Sequence, residues 1–205
     1  MPEAVVPGAV RAVLFDADGV MQHNPPGWEA ALRRYGDGFV DDLFAAEAPA
    51  MVGARSFPEV LDEVVARWTL PVAASQLLGH WREISVSGPT VGVVRSLRAL
   101  GVGCCLASNQ HAYRASYMRS GLGYGDLFDE QFYSCDLGET KSSPKFFAMV
   151  LDRLGLPAGE VLLVDDGGSY VDVARSAGLR AVQWCIDDGI SELRRLLSSH
   201  GLPDC

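Results

Sequence analysis

Five short apolar runs, each closed by turn or polar residues, recur along the chain as AVLFDAD, GVGCCLASN, QFYSCDLG, VLLVDDGG and AVQWCIDD. They are continuous rather than alternating, so each reads as a strand buried on both faces. Helical patterns separate them, and together these features predict a parallel sheet covered by helices on both sides. At 205 residues the chain suffices for one such core with a small inserted domain.

The helical patterns carry their own start and stop signals. A stripe of Val93, Val94, Leu97 and Leu100 predicts a helix over about residues 91–100, stopping at Gly101. Ser143 and Pro144 predict a cap and first turn, Gly155 an end, and a further helix runs from about Ser169 to Gly178. The stretch from about Pro25 to Ser87 has no convincing strand and reads as several helices, the clearest opening with a capping box of Ser56 and Glu59 before Leu61, Val64, Val65 and Trp68. The expected organisation is therefore an α/β parallel-sheet core of residues 1–24 and 86–205, with a small α-helical bundle of residues 25–85 inserted after the first strand. Pro25-Pro26 and Ser87-Gly88-Pro89 are the expected hinges.

In an open parallel sheet, ligands bind beyond the carboxyl ends of the strands. The informative residues stand there: Asp16 and Asp18 after the first run, Ser108 and Asn109 after the second, Lys141 after the third, Asp165 and Asp166 after the fourth. Four carboxylates on one edge repel one another unless one is protonated or a cation sits among them. An all-oxygen donor set on rigid strand ends suits Mg2+, and the absence of histidine argues against zinc. A hydroxyl, an amide and an ammonium group complete a phosphoryl-transfer site. Asp16 is then the nucleophile forming an aspartyl-phosphate, Asp18 the proton donor and later the base, Ser108 a holder of phosphoryl oxygens, and Lys141 the neutralising charge.

The net charge of −9 gives no basic surface for nucleic acid, so the expected partner is a small phosphorylated metabolite. The N-terminal MPEAVVPGAV lacks a basic start, and no apolar run approaches the ~18 residues of a membrane span. A cytoplasmic protein without membrane or nucleic-acid partners is expected, with Cys104, Cys105 and Cys135 as reduced thiols in or beside strands. Oligomeric state is not legible.

LFDADGV, LASN, LGETKSSPKFF and VLLVDDGGSYVDVARSAGL, in that order, resemble the four motifs of the haloacid dehalogenase superfamily. The resemblance implies a Rossmann-like core with a mobile helical cap. It further implies Asp16 as nucleophile and metal ligand, Asp18 as general acid/base and ligand through its backbone carbonyl, and Asp166 as a metal ligand with Asp165 beside it. An acid two residues after the nucleophile favours a phosphatase or phosphomutase over a dehalogenase. Stretches such as VGARSFPEVLDEVVARWTLP, GHW, DLG and VDD look like small-capped sugar-phosphate phosphatases of the glucose-1-phosphate phosphatase type. Two positions depart from the family pattern: Ser142 stands where a proline commonly follows the lysine, and Tyr170 where relatives usually carry asparagine or aspartate, a change expected to alter the surroundings of the metal. Alternatives are a phosphomutase, a phosphoacceptor signalling module, or a non-catalytic binder of a phosphorylated ligand.

Among lesser candidates, Lys145 is expected on a solvated helix face and His111 at a helix start. His23 lies where a flap would move, Arg55 in a loop before a cap helix, either reaching a substrate group when the cap closes or simply on the surface, and Trp68 and Trp81 in cap packing.

Overall fold

The computed structural model describes residues 8–203. Most of the N-terminal segment on which the expectation of no leader rested lies outside them. No helix among the described residues is long and apolar enough to cross a membrane.

All five apolar runs are strands of one parallel sheet. β1 (Ala12–Phe15), β4 (Gly103–Ser108), β5 (Glu130–Tyr133), β6 (Val161–Asp165) and β7 (Arg180–Gln183) stand in the order β5-β4-β1-β6-β7. β1 is central, with Leu14 opposite Cys105 on one side and Leu163 on the other. Successive β1 side chains enter opposite cores. Val13 and Phe15 pack with Val93, Leu97, Met118 and Leu193, whereas Leu14 packs with Phe146, Phe147, Val150 and Ala174. The first core is closed by α6 (Gly88–Ala99), α7 (Ala112–Ser120), α8 (Tyr124–Leu127) and α12 (Ile190–Ser199). α9 (Ser134–Leu137), α10 (Pro144–Leu154) and α11 (Gly168–Ser176) lie along the second. Full burial of each Val, Leu or Phe side chain contributes about 1.5–3 kcal/mol, which explains why strands covered on both faces need no polar alternation.

Between β2 (Gln22–His23) and β3 (Ser85–Val86) the chain is helical: α1 (Trp28–Arg33), α2 (Phe39–Ala46), α3 (Ala48–Met51), α4 (Phe57–Arg67), α5 (Ala74–Leu77) and a 3-10 turn at Leu78–Arg82. These share a third core built on Leu32, Phe39, Leu43, Phe57, Leu61, Val64 and Trp81. β2 and β3 pair antiparallel at the root of the insert. β3 corrects the expectation that the insert holds no strand; two residues are too few to leave an apolar signature.

Two helix starts also differ from expectation. α6 begins at Gly88, not near Val91, because Ser87 caps it: its Oγ accepts from the Thr90 backbone N–H at 3.3 Å, and Pro89 occupies the first turn. Ser87-Gly88-Pro89 is therefore a helix start rather than a free hinge. α4 does follow Ser56, but Ser56 makes no side-chain cap bond, so the capping box is not formed. Pro58 in that first turn has no N–H to donate, which removes one of the two donors such a cap uses. Ser143 caps α10, and Gly155 ends it at φ +63°, as the sequence implies.

These contrasts predict unequal effects of removing the two serines. Ser87→Ala should cost about 1 kcal/mol and Ser56→Ala no more than a few tenths, measured by chemical denaturation. Equal losses would contradict the capping assignment.

Candidate active site

β1 ends at Phe15, and the Asp16 backbone N–H is still held by Val164 O at 2.9 Å, so the Asp16 side chain starts from a fixed point on the sheet edge. The chain then turns sharply, with Ala17 O accepting from the N–H groups of Val20, Met21 and Gln22. Gly19 makes this turn possible. Its φ is +80°, and a Cβ there would stand 2.3 Å from Asp166 Oδ2, so the glycine lets the first loop lie against the fourth.

Lys141 is brought in from the loop before α10. Its backbone N–H donates to Asn109 Oδ1 at 2.9 Å, and its ammonium is 2.6 Å from both Asp16 Oδ1 and Asp165 Oδ2. Its side chain is 1% exposed, so this charge is withdrawn from water and held by protein groups. Burial works against the ammonium, but Asp16 and Asp165 more than offset it and hold its pKa above the ordinary value. The Tyr170 ring lies 4.9 Å from the same Nζ, so at this position the chain supplies an aromatic face to the lysine. Burial pushes the Asp16 carboxyl up to about 7; Lys141 opposes the shift and Asp165 adds to it.

Asp16, Asp165 and Asp166 present carboxylate oxygens within 4.8 Å of one another. Asp165 is committed on both oxygens, one to Lys141 and the other to the Gly167 N–H at 2.9 Å. Asp166 is exposed, pairs with no other side chain among the described residues, and is raised by burial and by Asp165. Three carboxylates against one ammonium leave excess negative charge at an all-oxygen site, the chemistry that a hard divalent cation fits. Asp16 and Asp166 have the oxygens to hold it, with Asp165 third in the cluster.

The Asp18 side chain does not join this group. Arg114 grips it from α7, Nη1 to Oδ2 at 2.5 Å and Nη2 to Oδ1 at 2.9 Å, while Gln22 and Gln110 donate at 3.1 and 2.7 Å. Burial would raise the Asp18 carboxyl, but Arg114 and the two amides outweigh it and lower the pKa. The expected convergence of four carboxylates is thus a cluster of three plus one ion pair, because a buried guanidinium neutralises the fourth.

The other expected residues are placed as follows. Ser108, at the end of β4, accepts from Gln110 Nε2 at 3.3 Å, and Asn109 serves Lys141. Lys145 is solvated and paired with Glu139, and Arg55 is paired with Glu63 on the surface. His23 is exposed in β2. Trp68 packs in the cap, where its Nε1 donates to Asp42, and Cys104 and Cys105 are buried in β4.

A cavity of about 190 Å³ opens beside Asp18 between insert and core, walled by Trp28, Phe44, Glu47, Trp81, His111 and Arg114. Trp81 therefore belongs to both the cap core and this wall. His111 caps α7 as expected, but it is also buried and stacked on Phe57 of the cap at 3.8 Å and 4°. Burial, with Arg114 adding to it, pushes its pKa down to about 3. Burial likewise pushes Glu47 up to about 7, against the pull of Arg114. Arg114, Gln110 and Glu47 were not singled out from the sequence. Arg114 and Asp18 are 96 positions apart, and no local pattern marks an arginine in the first turn of α7 as buried.

The model of the haloacid dehalogenase-like hydrolases matches residues 10–178. Among curated proteins, the chain is 28% identical over 193 residues to a phosphoglycolate phosphatase of Pectobacterium atrosepticum, covering 85% of this chain and 80% of that one. It is 23% identical over 186 residues to a phosphorylated carbohydrates phosphatase of Thermotoga maritima, covering 84% of each. Among solved structures, a HAD family enzyme of Bacteroides thetaiotaomicron superposes with a TM-score of 0.80 at 17% identity, over 91% of this chain and 99% of that one. With the sheet order, the inserted helices and the Asp16–Lys141–Asp165–Asp166 cluster in place, the chain belongs to the haloacid dehalogenase-like hydrolases and is an enzyme.

Proposed function

We propose that the protein is a Mg2+-dependent phosphatase that hydrolyses a small phosphomonoester, such as a sugar phosphate, through an aspartyl-phosphate on Asp16. The observation that carries this reading is the position of Asp16: at the open end of the central strand, beside the Lys141 ammonium and within carboxylate reach of Asp165 and Asp166. The names of the Pectobacterium and Thermotoga relatives, and a Bacteroides structure described as a complex with magnesium and inorganic phosphate, support it.

An Asp16 oxygen attacks phosphorus while the bond to the ester oxygen breaks opposite it, so nucleophile and leaving group must lie in line. Asp18, two residues on, donates the proton that the departing alkoxide needs. It then takes a proton from the water that attacks the aspartyl-phosphate, which frees inorganic phosphate and regenerates Asp16. Asp18 is held here as a carboxylate by Arg114, Gln22 and Gln110, so donation requires that it be protonated and that part of this grip be released. Lys141 offsets charge gathering on the phosphoryl oxygens, and Asp165 fixes Lys141 in place. Mg2+, when bound, supplies the positive charge that lets an anionic nucleophile approach an anionic ester.

Phosphate release from p-nitrophenyl phosphate should require Mg2+, stop on chelation and return on adding the ion back. Asp16→Asn should reduce turnover to background, and retained activity in that variant would exclude the mechanism. Asp18→Asn should slow alkyl esters by about 10²–10⁴-fold. In kcat/KM, which reports the step that expels the leaving group, the loss should be smaller for the aryl ester, whose leaving oxygen needs a proton less; equal losses there would remove Asp18 from the role of acid.

A further inference from the structure

The cavity beside Asp18 is walled by groups whose hydrogen-bonding capacity can be counted. Arg114 has five N–H donors, and all five are used. Nε donates to Trp81 O, Nη1 to Asp18 and to Gln110 Oε1, and Nη2 to Asp18 and to Asn24 Oδ1. While Asp18 is ionised, the one cation in this wall therefore has no donor left for a ligand. Glu47 is the reverse case: its carboxyl has no hydrogen bond or ion pair among the described residues, although burial already works against its charge.

His111 is the second unfilled group. Its Nδ1 accepts from the Arg114 backbone N–H at 3.3 Å, so the proton of the neutral ring sits on Nε2. Nε2 is buried and has no partner, in a residue 2% exposed whose ring is fixed against Phe57. An unfilled donor in so buried a residue is costly unless a ligand supplies its acceptor.

We propose that this cavity recognises an uncharged, hydroxyl-bearing leaving group, with Glu47 accepting from it and His111 Nε2 donating to it, and that Glu47 excludes esters whose leaving group ends in a carboxylate. The inference rests on the phosphatase reading and adds the substrate class. A hydroxyl both donates and accepts, so a polyol answers both groups. A carboxylate could accept from His111 but brings no proton for Glu47 to accept and is repelled by the ionised fraction of Glu47, while every Arg114 donor is engaged as long as Asp18 is ionised. Trp28 and Trp81 offer apolar surface to the C–H faces of a small polyol, and about 190 Å³ is below the range of about 300–1,000 Å³ typical of drug-sized ligands.

The test compares kcat/KM for glycerol 3-phosphate and glucose 1-phosphate with that for 2-phosphoglycolate in the wild type, Glu47→Gln and His111→Asn. The asparagine keeps an acceptor to cap α7 and shortens the reach of the donor. The wild type should prefer at least one hydroxylated ester by tenfold or more. Glu47→Gln should reduce that preference about tenfold, mainly by improving 2-phosphoglycolate, because the amide offers its carboxylate an N–H donor and carries no charge. His111→Asn should lower the hydroxylated ester about fivefold, the value of one hydrogen bond. Circular dichroism and Tm confirm that each variant is folded. Hydrolysis of p-nitrophenyl phosphate by a wild type that uses 2-phosphoglycolate as well as both hydroxylated esters would overturn this inference and leave the phosphatase reading standing. So would an unchanged preference in a folded Glu47→Gln. If the wild type hydrolyses no ester, the phosphatase reading fails; ligand-induced Tm shifts then decide the cavity separately, greater stabilisation by the hydroxylated esters supporting it and equal or greater stabilisation by 2-phosphoglycolate overturning it.

Discussion

The buried ammonium of Lys141 is the point on which the site is assembled. It joins Asp16 after β1 to Asp165 at the end of β6, is fixed through its own backbone by Asn109 after β4, and lies beside Tyr170 of α11. Four segments separated by up to 154 positions are thus drawn to one sheet edge by one charge. Such a charge is tolerated away from water only because two carboxylates stand 2.6 Å from it, and removing either partner would leave an uncompensated ion. The remaining negative charge is the physical basis for a cation at Asp16 and Asp166.

A second electrostatic centre, Arg114 on Asp18, connects chemistry to the insert. Arg114 reaches Asp18 in the turn after β1, Asn24 in the segment leading into the insert, and the carbonyl of Trp81 in its last turn. The stack of His111 on Phe57 adds an apolar tie between the same two bodies. Gly53, in the turn after α3, brings the two bodies together as well, since a Cβ there would clash with Cys135 O. Placement of the insert and the state of Asp18 therefore share contacts, so a ligand entering the cavity meets both at once.

Much of the core was legible because its strands are buried on both faces, which writes them as unbroken apolar runs. The cluster of Asp16, Lys141, Asp165 and Asp166 was legible because strand ends in a parallel sheet point to one edge, which gathers these residues from their positions in the sequence. Helix starts were less so. Ser87-Gly88-Pro89 has the composition of a hinge and the geometry of a cap, and Ser56 has the composition of a capping box beside a proline that withholds a donor. The partners of Asp18 were illegible, since Arg114 is an ordinary helix arginine until the fold buries it, and Glu47 is an ordinary acid until the insert closes over its cavity.

By itself the sequence determined the layered α/β architecture, the helical insert after the first strand, and the carboxylates and lysine that a phosphoryl site needs, because hydrophobic period and strand-end position are local properties of a chain. Tertiary structure alone decided which charges are neutralised and which are not. Asp18 is matched by a guanidinium from α7, Asp165 is spent on Lys141, and Glu47 and His111 Nε2 are left without partners beside the acid. Those outcomes depend on distances between residues remote in sequence and on the exclusion of water around them, and neither exists until the sheet and its insert have packed.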